Sequence, residues 1–155
     1  MATMHVKIEL DADTLARAIK ELKLTNAPKF VLNHSGVARN TTAGKGEQQV
    51  RGLYSPMTNI VSIASQRPEH SRERLIELTR HVSFTVLHEL RHAYQREYWT
   101  VEQKMECEAY DYAQRPDEID ANLWAEYARP KYLGLVKITR RPVGGKTAFQ
   151  RLGSR

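Results

Sequence analysis

Apolar and polar positions alternate from His5 to Leu10, with Val6, Ile8 and Leu10 on one side, and a period of two predicts a half-buried strand. The period then changes. Leu15, Ala18, Ile19 and Leu22 recur at helical spacing across Thr14 to Leu24, behind a cap at Asp11 or Asp13 and ahead of Pro28. Lys29 to Asn33 is a second short strand, and the polar, glycine-rich stretch from Ser35 to Glu47 predicts a flexible loop. Gln48 to Tyr54 and Asn59 to Ala64 flank Ser55-Pro56-Met57-Thr58, so they form a hairpin. Its second arm, Ile60-Val61-Ser62-Ile63, is expected at the edge of the sheet. After Pro68 and Ser71, Leu75, Leu78, Val82, Val86, Leu90 and Ala93 step by threes and fours along one long helix. Two more helices are expected, Val101 to Gln114, with Val101, Met105, Ala109 and Tyr112 on one face, and Asp117 to Ala128, divided by Arg115-Pro116. Beyond Pro130 the pattern weakens to a short strand at Leu133 to Ile138, and composition predicts disorder after Pro142.

At 155 residues, 41% of them hydrophobic, the chain can build one core and not two. The expected fold class is therefore α+β: a small, mostly antiparallel sheet packed on the long helix, with two helices following. The expected boundary separates a folded domain, 1–130, from a basic tail, 131–155. Charge agrees with that division. Of the net +6, eight basic and no acidic residues fall between Arg129 and Arg155, which leaves the rest of the chain at −2. Nucleic acid is a conceivable partner for such a tail, although no base-reading motif accompanies it. The single cysteine, Cys107, allows no internal disulfide, and no secretory signal or apolar run of membrane-spanning length is present, so the expected setting is cytoplasmic and away from membranes. Asn40-Thr41-Thr42 has the form of a glycosylation sequon but carries no weight in that setting. Gly44-Lys45-Gly46 lacks the remaining spacing of a phosphate loop.

The chemistry is concentrated at His88-Glu89-Leu90-Arg91-His92. Four residues apart on a helix, His88 and His92 project from one face and can grip one metal ion, while Glu89, about 100° round, can reach a water beside that ion as general base. A catalytic zinc site needs a third protein ligand and an open position. No histidine follows His92, so a carboxylate is required, from among Glu106, Glu108, Asp111, Asp117, Glu118 and Asp120. Glu118 is favoured because Glu118, Ala121, Asn122 and Ala125 form a stripe whose alanines let the carboxylate approach the motif helix. Glu106 and Glu108 follow in preference, because they leave little chain for the return over the site. Asn122, or in competition Asp120, is expected to orient a zinc-bound imidazole through its outer nitrogen. Tyr94, Tyr98, Tyr110 and Tyr112 are all candidates to stabilise an oxyanion. His5, His34, His70 and His81 read as packed or exposed histidines, and Cys107 as structural.

The run His88-Glu89-Leu90-Arg91-His92-Ala93-Tyr94-Gln95, with Arg115-Pro116-Asp117-Glu118-Ile119-Asp120-Ala121-Asn122-Leu123-Trp124-Ala125, resembles compact gluzincin metallopeptidases, in particular ImmA/IrrE-like proteins and small relatives on phages and mobile elements. The resemblance spans roughly 52–128. It implies a minimal zincin-like fold, one Zn²⁺ held by His88, His92 and Glu118, Glu89 as the base, and a protein or peptide substrate laid along Ile60, Val61, Ser62 and Ile63. Arg91 departs from the glycine usual in those families. The competing readings are a non-catalytic metal-binding, partner-binding or nucleic-acid-binding module with an inert helix, and a zinc-retaining sensor without efficient turnover.

Overall fold

In a computed structural model the described residues are 4–33, 37–40, 47–65, 70 and 72–142. The His34, Asn40-Thr41-Thr42 and Gly44-Lys45-Gly46 readings, the Pro68 and Ser71 helix start, and the expected disorder after Pro142 fall wholly or partly outside them. The fold is α+β. Strand β1 (Met4–Leu10) leads into α1 (Ala12–Glu21), whose N-terminus is capped by Asp11: its carboxylate accepts from the Thr14 N–H at 3.0 Å and the Thr14 hydroxyl at 2.7 Å. Strand β2 (Lys29–Asn33) is followed by β3 (Val37–Asn40), β4 (Glu47–Val50), β5 (Gly52–Ser55) and β6 (Ile60–Ala64). Helix α2 (Leu75–Tyr98), 24 residues long, is the pillar of the molecule; α3 (Val101–Cys107), α4 (Pro116–Ala128) and β7 (Val136–Pro142) complete it.

Among the described residues the strands form three small sheets: an antiparallel β1–β7 pair, an antiparallel β3–β4 pair, and a mixed sheet in the order β2-β6-β5, in which β6 runs parallel to β2 and antiparallel to β5. The β5–β6 hairpin turns at residues 56–59, where Asn59 adopts φ +56° and its side chain accepts from the Tyr54 hydroxyl at 2.6 Å. Asparagine tolerates that left-handed backbone, and the hydrogen bond locks it there. Val61 and Ile63 of β6, Tyr54 of β5, and Leu78, Val82, Val86, Leu87, Leu90 and Ala93 of α2 are buried together. Helix α4 lies against α2 through Ala121, Ala125 and Ala128, all fully buried, and these small side chains permit the close approach.

Five expectations need correction. The strand at 60–63 is central, not an edge: β2 pairs with it on one side and β5 on the other, with Val61 and Ile63 buried and Ile60 and Ser62 partly buried in alternation. Four residues of the expected flexible loop form β3, and the arm expected at 48–54 is two strands, β4 and β5, broken at Arg51. Helix α3 stops at Cys107, and Val101, Met105 and Tyr112, expected to face the core, are exposed, Cys107 being the buried residue instead. The boundary at 130 cuts through the core. Tyr132, Leu135, Val136 and Ile138 are buried in it, and β7 pairs with β1 along its whole length. Gly134, at φ +87°, makes the turn that feeds β7 back to the core. Part of the charge of this segment is paired with the folded body, since Lys131 bonds to Glu21 at 2.8 Å on the surface and Arg140 donates to the Glu73 and His70 carbonyls. Among the described residues, no helix is long and apolar enough to cross a membrane.

Candidate metal centre

Two elements build the site. Helix α2 carries His88, Glu89 and His92 in its middle turns, where the flanking apolar residues anchor the helix against the sheet; the first turn of α4 supplies Glu118. Pro116 opens α4, and Asp117, gripped by the Arg115 guanidinium at 3.0 and 3.1 Å, accepts from the Glu118 N–H at 3.0 Å. A carboxylate in a first turn is also favoured by the helix dipole.

The three donor groups converge. His88 Nε2 lies 3.0 Å from Glu118 Oε1, His92 Nε2 lies 3.1 Å from Glu118 Oε2, and the two imidazole nitrogens are 3.2 Å apart. Among the described residues, His88, His92 and Glu118 form a group able to hold a metal ion. The donor set fits zinc. Ligand bonds of about 2.0–2.1 Å at tetrahedral angles place donor atoms about 3.3 Å apart, close to the spacing here. Two imidazoles and a carboxylate leave a fourth position for water or substrate.

Electrostatics pull the same way. Burial pulls His92 towards the neutral form, but its hydrogen bond to Glu118 and the charges of Glu89 and Glu118 outweigh it and raise the pKa to about 9. Burial opposes ionisation of Glu118, yet its bonds to His88 and His92 drive its pKa far below the usual carboxylate range. Without metal, a proton shared between His92 and Glu118 occupies the role of the cation. A metal ion held here would have to displace that proton, so its apparent affinity is expected to rise with pH up to about 9, by up to about tenfold per unit. In the metal-free protein, the raised pKa of His92 contributes stability that is fully present below its unfolded pKa and lost as pH rises towards 9; the lowered pKa of Glu118 contributes stability lost only in acid. Melting temperatures between pH 6 and 9.5, with and without zinc, should therefore diverge as pH rises.

Glu89 is buried beside the cluster but outside it, its Oε2 3.9 Å from His88 Nε2. Burial raises its pKa, opposed by His92 and His88 and by a hydrogen bond from the Tyr54 backbone. That bond ties Glu89 to β5, one of the two outer strands of the β2-β6-β5 sheet among the described residues. Gly52 on β5 is a requirement of this contact: a Cβ there would lie 2.6 Å from Thr85 Cγ2 and 3.3 Å from Glu89 Cγ. Thr85 cannot turn away without losing its hydroxyl bond to the His81 carbonyl, at 2.9 Å. Gly52→Ala is expected to cost about 1–3 kcal/mol through overpacking, read from the denaturant midpoint.

Of the four tyrosines, Tyr112 alone bonds to a ligand of the cluster, its hydroxyl donating to Glu118 Oε1 at 2.9 Å. Tyr94 lies under the Arg91 guanidinium and against Tyr98, whose hydroxyl donates to the Lys23 carbonyl, and Tyr110 is exposed. Glu106, Glu108 and Asp111 are exposed and outside the group. The expected orienting residues need correction. Asn122 is exposed: Ala121 and Ala125 centre the face that α4 buries, and one residue further round the helix turns to solvent. Asp120 does not touch an imidazole; it bonds Arg91 and Gln95. The group on His92 Nδ1 is the carbonyl of Gln95, at 2.7 Å, a residue that sequence reasoning missed. Its signal was a polar side chain one turn beyond His92 on the same helix. Burial pushes the Cys107 thiol pKa up, in keeping with a structural role.

Comparisons of the chain with protein-family models, with curated proteins and with solved structures found no match.

Proposed function

We propose that this chain is a zinc-dependent peptidase. The reading is carried by one observation: two imidazoles and a carboxylate converge on one point, with a buried glutamate of raised pKa beside them and not among them. The likeness of residues 88–95 and 115–125 to compact gluzincins points the same way. His88, His92 and Glu118 would hold the ion, which supplies a Lewis acid and lowers the pKa of a water. Glu89 takes the proton from that water as its oxygen attacks the scissile carbonyl carbon, then returns it to the amine as the C–N bond breaks. Tyr112, whose hydroxyl reaches Glu118 Oε1, would turn to donate to the carbonyl oxygen as charge develops there. Strand β5, tied to Glu89 through Tyr54, replaces the 60–63 strand as the edge along which an extended peptide would be laid.

The test is cleavage of a peptide library by protein of measured metal content. One zinc per chain, activity lost to a chelator and restored by zinc, supports the reading. Stoichiometric zinc without cleavage of any library member would leave a metal-binding module, and less than one tenth of an equivalent at pH 8 with zinc in excess would sink both.

A further inference from the structure

We infer that Gln95 is a positioning residue that aims His92 at the metal, and that Arg91 and Asp120 are the outer part of the same device. The inference rests on the zinc reading above. The side-chain amide of Gln95, a buried residue, has no freedom left: its NH₂ donates to the Asp117 carbonyl at 2.8 Å and to Asp120 Oδ2 at 2.8 Å, two groups that can only accept. Its carbonyl must therefore face His92 Nδ1, 2.7 Å away. An acceptor there requires Nδ1 to carry the proton, which leaves the lone pair on Nε2, the nitrogen that faces His88 and Glu118. Asp120 is itself fixed from the other side. Arg91 Nε and Nη2 bond its two oxygens at 2.8 and 3.2 Å, and the guanidinium is braced over the Tyr94 ring at 4.1 Å. The chain Arg91, Asp120, Gln95, His92 thus runs across the α2–α4 contact and couples the packing of α4 to the direction of one imidazole.

The two histidines differ in this respect. His88 Nδ1 is buried and has no hydrogen-bond partner among the described residues, with the Phe84 ring 6.0 Å from its own. His88 thus has no hydrogen bond at its outer nitrogen among the described residues, whereas His92 is held there by the Gln95 carbonyl. The presence of Arg91 in the motif acquires a reason: it holds the carboxylate that holds the amide.

The experiment measures zinc dissociation constants by chelator competition for the wild type, Gln95→Leu and Arg91→Met, together with the ¹⁵N–¹H signal of His92 Nδ1–H in the zinc-loaded protein. Gln95→Leu should weaken zinc by about 10–100-fold, the range for losing such an outer partner, and abolish the slowly exchanging Nδ1–H signal. Arg91→Met, which leaves the amide in place, should weaken zinc less than Gln95→Leu and speed that exchange at least threefold. A purely structural role would lower stability without moving the Nδ1–H signal. Affinity within twofold of wild type in Gln95→Leu, or an unchanged signal, overturns the inference; if Gln95→Leu does not fold, the exchange rate in Arg91→Met decides. A wild type without zinc sinks the peptidase reading and this one together, while a zinc-loaded wild type with unchanged variants sinks this one alone.

Discussion

Glu89→Gln should keep one zinc per chain and lower peptide hydrolysis by about 10²–10⁴-fold, the range that a positioned general base contributes. The separation follows from geometry. The three ligand groups lie 3.0–3.2 Å from one another, whereas the nearer Glu89 oxygen is 3.9 Å from His88 Nε2. An amide of the same shape fills the same buried space and can still accept from the Tyr54 N–H, so neither the fold nor the ligand set should change. What it lacks is a basic lone pair. The raised pKa of Glu89, caused by burial, brings the carboxylate nearer to the pH at which a base must both take and return a proton. Metal analysis beside kcat/KM on a cleaved peptide separates the outcomes. Zinc lost with activity would make Glu89 a ligand, and activity kept would place the base elsewhere.

Local periodicity carried most of the architecture. The α2 stripe was legible because Leu78, Val82, Val86, Leu90 and Ala93 meet the sheet at helical spacing; Leu75, at its frayed start, is 44% exposed. The approach of Glu118 to the two histidines was legible for a related reason, since the alanines of α4 mark the face that approaches α2 and Glu118 stands at its head. Information was lost wherever pairing partners are distant. The alternation of Val136 and Ile138 was legible as a short strand, but its partner is β1, at the opposite end of the chain, so the surrounding lysines and arginines led the strand to be assigned to a tail and not to the core. Whether 60–63 is central or at an edge depends on β2, which no local period reports. Gln95 was hidden because a glutamine on a helix is usually solvated; only the crossing with α4 brings Asp117 and Asp120 within reach and turns it inwards. Helix α3 shows the converse failure, a plausible apolar face, Val101, Met105 and Tyr112, that is left exposed.

The site also explains why it can exist before a metal arrives. Three buried or half-buried polar groups without a cation would cost several kcal/mol, and the proton on His92 removes much of that cost by making an ion pair with Glu118. The same arrangement makes acid an inhibitor of loading. Metal and proton compete for one lone pair, while Glu118 remains ionised for either.

Glu118→Ala is the second change of large expected effect, and it acts on the metal itself. Four-ligand zinc sites are worth about 10–16 kcal/mol, or about 3 kcal/mol per ligand, so loss of one carboxylate should weaken zinc by about 10²-fold. Hydrolysis should fall at least as far wherever zinc is not saturating. Two further consequences are particular to this chain. The His92 pKa, held at about 9 in large part by Glu118, should drop, so the metal-free variant should lose the pH-dependent stability that the wild type shows between pH 6.5 and 9. Tyr112 also loses the Oε1 acceptor that its hydroxyl meets in the wild type. Chelator competition and a pH series of melting temperatures read both effects. Glu106→Ala and Glu108→Ala, on the exposed surface of α3 and its C-terminal turn, serve as controls and should leave affinity within about twofold, as surface substitutions do. If Glu118→Ala binds zinc as the wild type does while a control weakens it, the ligand lies on α3 or its C-terminal turn, and the convergence at the head of α4 is an ion pair and not a metal site.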